Sequence, residues 1–186
     1  MFFSYTSPAQ SEKSVYTLNP NDVIASTHAN LQTFDKVSDN FHAQRKQLCM
    51  ELIGILNDPK SSNLSQCEAA CYLGEMRMSE AADDLAAKIT LRLDLRHIII
   101  LHLPAISASP VTDALVKIGN PSIPAVIRNL AESDDAKVRE LSLKVLYRID
   151  GDKDIVRLRL QKALKAETDS TKQARLQAAL NQSEKL

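Results

Sequence analysis

The feature that most constrains this chain is a succession of short amphipathic segments separated by tight polar breaks, clearest between Val111 and Ala166. A helix with one apolar stripe must bury it against another element, so a run of such segments folds as helices packed on helices. Asn120 reads as an N-cap, and Pro121 sits at the first helical position, where a missing N–H costs nothing. Pro124 falls one turn in, which is tolerable only near a helix start. Ile123, Val126, Ile127 and Leu130 then recur at i, i+3, i+4 and i+7, the spacing of a one-sided stripe. Ser133-Asp134-Asp135 ends that helix and caps a second, whose stripe is Val138, Leu141, Val145 and Ile149, and Asp150-Gly151-Asp152 closes it. Two such helices joined by a short break make a helical hairpin.

The hairpin recurs. Leu115-Val116-Lys117-Ile118-Gly119 aligns with Leu146 to Asp150, 31 residues on, and with Leu73 to Arg77, 42 residues back. Leu180, 34 residues beyond Leu146, marks a further, terminal copy. The longer early interval implies an insertion between Met78 and Val111. Self-similarity at this period predicts an all-α chain, an α-α superhelix (solenoid) of about four hairpins, each burying its stripe against its neighbours. Leu73, Leu115, Leu146 and Leu180 are then equivalent buried rungs of one hydrophobic spine.

Three segments carry a family likeness: LGEMRMSEAADDL, IGNPSIPAVI and DDAKVRELSLKVL. They resemble HEAT-like repeats, in the short variety also found in phycobilisome lyases. The pattern of that family is an Asp, then Val-Arg, an Ala-rich helix, a Gly, Asp-Pro and a second helix. Asp135, Val138, Arg139, Gly119, Pro121 and Pro124 match it, while the first copy carries Arg77 where the pattern has Gly. The likeness covers residues 44–182 and implies the fold; a scaffold of this kind hosts many activities, so it says little of function.

In chain order, residues 1–40 are rich in Ser, Thr, Asn and Asp and lack sustained periodicity, which predicts a flexible or loosely packed leader ahead of a repeat domain over 41–186. Val23 to Phe34 is a candidate cap for the first repeat, since an end repeat needs its apolar face covered. Helices are predicted over Phe41–Leu56, Ser65–Met76, Ser79–Ile89 with Ser79 as cap, Pro110–Ile118, Lys153–Ala166 and Thr171–Gln182, besides the two described first. The insertion near 90–109 reads as irregular or extended: Leu91, Leu93 and Leu95 alternate with Arg92, Asp94 and Arg96, and a β-branched HIIILHL follows. Such a segment either lies over the core or pairs with a second copy of the chain, so self-association through 91–103 is one expectation.

Composition narrows the chemistry. Only 4% of residues are aromatic and none is Trp, so Ala, Leu and Ile must form the core. The 23 basic residues balance the 23 acidic ones, and no overall field draws the chain to nucleic acid. No apolar run reaches membrane-spanning length. Met1-Phe2-Phe3 lacks the basic start and apolar core of a signal peptide; a cytoplasmic setting is preferred, with an exported mature form left open. Three cysteines, an odd number, argue against a disulfide framework. Cys49, Cys67 and Cys71 are expected as small buried residues.

No metal or cofactor is expected. The histidines at 28, 42, 97 and 102 form neither His-Glu-x-x-His nor a pair with cysteines, and Asp94, His97 and His102 share no regular face. No nucleophile elbow or phosphate-cradling glycine cluster is present, so no catalytic residue is assigned.

What remains is a face. On each inner helix, the positions two before and two after the register Leu point about 160–200° away from the core. They are Cys71 and Glu75, Asp113 and Lys117, Lys144 and Arg148, then Ala178 and Gln182, a stripe running from acidic through mixed to basic. The expectation is a non-catalytic interaction or scaffold module whose concave face meets a protein partner through Glu75, Asp113, Lys117, Lys144 and Arg148. The family likeness implies an alternative, a lyase or modifying-enzyme subunit with Cys67 or Cys71 near a cofactor.

Overall fold

The computed structural model describes residues 40–93 and 107–184, and over these residues the chain is helical with short connections. Eight α-helices follow in order: α1 (Asn40–Asn57), α2 (Asn63–Glu75), α3 (Ala82–Ala87), α4 (Pro110–Ile118), α5 (Ile123–Glu132), α6 (Ala136–Asp150), α7 (Lys153–Ala166) and α8 (Ser170–Ser183). One-turn 3₁₀ segments, Ser79–Ala81 and Asn120–Ser122, lead into α3 and α5.

Short polar side chains cap four of the eight helix starts. Asp135 Oδ1 accepts from the Lys137 N–H at 2.7 Å, and Asp152 Oδ1 from the Asp154 N–H at 2.7 Å. Asp169 Oδ1 takes two, from Thr171 N at 2.8 Å and Lys172 N at 3.0 Å. Each satisfies backbone donors that a helix start leaves without intrahelical partners. Two expected caps are corrected. Ser79 and Asn120 each lie inside a 3₁₀ turn, so α3 and α5 begin three residues later. In the second turn the Ser122 hydroxyl donates to Leu115 O at 2.9 Å, tying the entry of α5 back to α4.

The helices pair in sequence: α1 with α2, α3 with α4, α5 with α6, and α7 with α8. The second members of the first three pairs also pack in a row, α2 on α4 and α4 on α6, and α3 packs on α5. The last pair departs from that order. Outside its own pair, α8 lies against α5 and touches α6 much less. Its start is fastened there: Arg175 Nη1 donates to Glu132 O at 2.7 Å, Arg175 pairs with Asp134, and Lys172 Nζ meets Glu132 Oε1 at 2.6 Å. Ala178 and Gln182 therefore do not extend the row formed by α2, α4 and α6.

The core runs through all four pairs. Leu73, Leu115 and Leu146 are each 0% exposed and Leu180 is 8% exposed, and all four belong to one continuous apolar cluster. Burying a leucine stabilises by about 1.5–3 kcal/mol, so these rungs carry real weight. Tyr72 is the aromatic residue buried among the described residues, and alanines do the close packing, as in the small Ala82, Ala86 and Ala125 contact between α3 and α5.

Leu91 to Leu93 and residues 107–109 are outside regular structure, as expected for the ends of the insertion. The readings of residues 1–39 and of HIIILHL lie outside the described residues, as do Asp94, His97 and His102. Self-association through 91–103 falls there too, apart from its first three positions.

Candidate interaction face

The row of α2, α4 and α6 brings the five charged positions onto one side of the molecule. Their register leucines point inward, so two residues to either side point out: Glu75, Lys117, Lys144 and Arg148 are exposed and Asp113 is half-buried. The stripe is not a set of free charges graded from acid to base. Its members pair across helices. Lys117 on α4 reaches back to Glu75 on α2. Arg148 on α6 reaches back to Asp113 on α4, Nη1 to Oδ1 at 2.5 Å. Lys144 turns along its own helix to Glu140, 2.6 Å away, and Lys137 meets the other oxygen of the same carboxylate at 2.9 Å.

The pairing shapes the ionisation of the face. Burial works against the Asp113 charge, yet hydrogen bonds from Ser107 and Arg148 outweigh it and hold the carboxyl below its ordinary range. The hydrogen bond to Glu75 pushes Lys117 up. Hydrogen bonds from Lys144 and then Lys137 bring Glu140 down to about 2. Asp113, Lys117 and Glu140 therefore stay charged near neutral pH. Exposed ion pairs contribute only about 0–1 kcal/mol each, so such a ladder leaves its members available to a competing partner.

Beside the ladder lies a cleft of about 400 Å³ between the start of α4 and one side of α6. Ser107, Ser109, Thr112 and Asp113 form one wall, and Leu141, Lys144, Val145 and Arg148 the other. Arg92, in the described first residues of the insertion, also lines it. Three of the five sequence-assigned residues (Asp113, Lys144, Arg148) thus line the cleft, while Glu75 and Lys117 sit outside it. Arg92, Ser107 and Glu140 were not assigned from sequence. Glu140 was legible, since a Glu four residues before Lys144 forms a helical pair. Arg92 had no such signal, because its place depends on how the insertion leaves and rejoins the helices.

None of the three cysteines lines the cleft. Cys49 and Cys67 are buried and Cys71 is half-buried. Burial pushes the Cys49 and Cys67 thiols up to about 11 and raises that of Cys71. At such values the nucleophilic thiolate is scarce near neutral pH. Among the described residues no group of three His, Cys, Asp or Glu side chains is placed to hold a metal ion, and no helix is long and apolar enough to cross a membrane. The chain matches no protein-family model, no curated protein and no solved structure.

Proposed function

We propose that this chain is a non-catalytic interaction module, a short α-solenoid of HEAT-like hairpins that binds a protein partner on the face of α2, α4 and α6. The observation that carries the reading is the convergence of Asp113, Lys144 and Arg148 on one cleft, with Glu75 and Lys117 continuing the same face. The buried leucine rungs support the hairpin reading, because they place the charged positions on the outside of successive inner helices. A modifying-enzyme role of the phycobilisome-lyase kind would want a reactive thiol beside a pocket. None of the three cysteines lines the cleft, which favours the scaffold.

The test is affinity capture with the whole chain, compared with a Lys144→Glu/Arg148→Glu variant of equal thermal stability. A partner retained by the parent chain and lost by the variant is the expected result. Partners captured equally by both would remove the proposal.

A further inference from the structure

Resting on that interaction reading, we infer that the cleft between α4 and α6 receives carboxylate side chains from an acidic peptide segment of the partner, with Arg92, Lys144 and Arg148 as the receiving groups. Among the described residues, the ionisable lining consists of these three cations against one carboxylate, Asp113, a local excess of two positive charges. The whole chain has none, with 23 basic and 23 acidic residues. Asp113 is already subtracted in that excess, and it keeps its charge while it accepts from Arg148 and Ser107.

Each cation keeps donors to offer. A guanidinium carries five N–H groups and an ammonium three, whereas Arg148 commits Nη1 to Asp113 and Lys144 commits one donor to Glu140. Asp113 and Glu140 act here as struts that hold the cations at the rim. The start of α4 opens into the same space, with Ser109 at its N-cap making no side-chain cap bond and Pro110 at the first position. The positive end of that helix adds to the field of the three side chains. Leu141 and Val145 supply an apolar wall that excludes water on one side and strengthens the charged contacts.

Size and surroundings choose the ligand class. About 400 Å³ suits one or two side chains rather than a folded surface. A nucleic-acid backbone would have to run on past Glu75 and Glu140, whose carboxylates repel successive phosphates. A peptide can turn one or two carboxylates into the cleft while its other side chains project away from those glutamates.

The experiment is fluorescence anisotropy with the full chain and a fluorescein-labelled oligoglutamate peptide, with oligoglutamine and a single-stranded oligodeoxynucleotide as alternative probes. Oligoglutamate should bind, more weakly as salt rises, and oligoglutamine should not. Arg92→Gln/Lys144→Gln should weaken oligoglutamate binding by about tenfold or more, since each change removes a charge-assisted hydrogen bond. Lys165→Gln, on the exposed side of α7 and outside the cleft, should leave it unchanged. Arg92 and Lys144 are both exposed, so the double variant should keep the parent melting curve. Absence of oligoglutamate binding, equal binding by the double variant, or tighter binding of the oligonucleotide would each overturn the inference. Should that happen while a captured partner is still lost on charge reversal at Lys144 and Arg148, the interaction reading stands and only the acidic-segment inference falls.

Discussion

Gly74 on α2 and Ala114 on α4 meet backbone to backbone: a Cβ built on Gly74 would lie 2.5 Å from the Ala114 Cα and 2.8 Å from its Cβ. Neither atom is the end of a flexible side chain, so the two helices must move apart to admit a methyl group. This contact sits one residue after the Leu73 rung and sets how closely the first two hairpins approach. Gly74→Ala is expected to destabilise the fold by about 1–3 kcal/mol through overpacking. Urea unfolding gives the value. Gly54→Ala on the exposed side of α1 has no heavy atom within 4 Å of the new Cβ and should stabilise by about 0.5–1 kcal/mol. Equal effects at the two positions would refute the close-packing account.

Arg77 has φ +49°, the one positive value among non-glycine residues in the described structure, and it aligns with Gly119 at φ +78°. The aligned copy has Gly at this place, and Arg77 shares its positive φ even though it carries a Cβ. A left-handed residue with a Cβ costs about 1–2 kcal/mol. Arg77→Gly should therefore raise stability by up to about 1 kcal/mol, the added unfolded-state freedom of Gly taking back part of the gain. Thermal melting of the two chains checks it; a lower melting temperature in the variant would mean that the arginine side chain outweighs the strain.

Asp150 at the end of α6 is 3% exposed at its side chain and is held by Arg159 of α7, Nε to Oδ2 at 2.8 Å. Arg159 Nη2 also reaches Asn120 Oδ1 at 3.3 Å, so one side chain joins α7, α6 and the turn before α5. Arg159→Ala strands a buried carboxylate and should cost about 2–4 kcal/mol, discounted from a fully buried pair because the arginine is partly exposed. Asp150→Asn/Arg159→Ala should lose less than the single variant. A double-mutant cycle by urea unfolding measures the coupling.

The thiols give a pH prediction. Burial raises the folded-state values of Cys49 and Cys67 to about 11, so the protonated form is favoured in the folded chain. That contribution to stability is complete below the ordinary thiol range, at about pH 8, and is lost as the pH rises through about 11. At pH 8, Ellman's reagent should react with Cys71 first, the half-buried one, and with Cys49 and Cys67 only after denaturation. Immediate reaction of all three thiols in native buffer would contradict the packing around α1 and α2.

The sequence by itself determined the helical elements, most of their ends and the side each buries. Asp135 was readable as a cap, and Leu73, Leu115, Leu146 and Leu180 as buried rungs, because capping and a 3.6-residue stripe are settled within a turn or two of the chain. The tertiary structure decided what those helices do to one another. Lys117 finds Glu75 from 42 residues away and Arg148 finds Asp113 from 35, turning an open stripe into a paired ladder. Arg92 and Ser107, on either side of residues 94–106, meet α6 at one cleft. α8 leaves the row to lie on α5. Such relations depend on the offset and rotation of one packed helix against the next. Those quantities arise from side-chain interlocking across the whole core, and no local pattern encodes them.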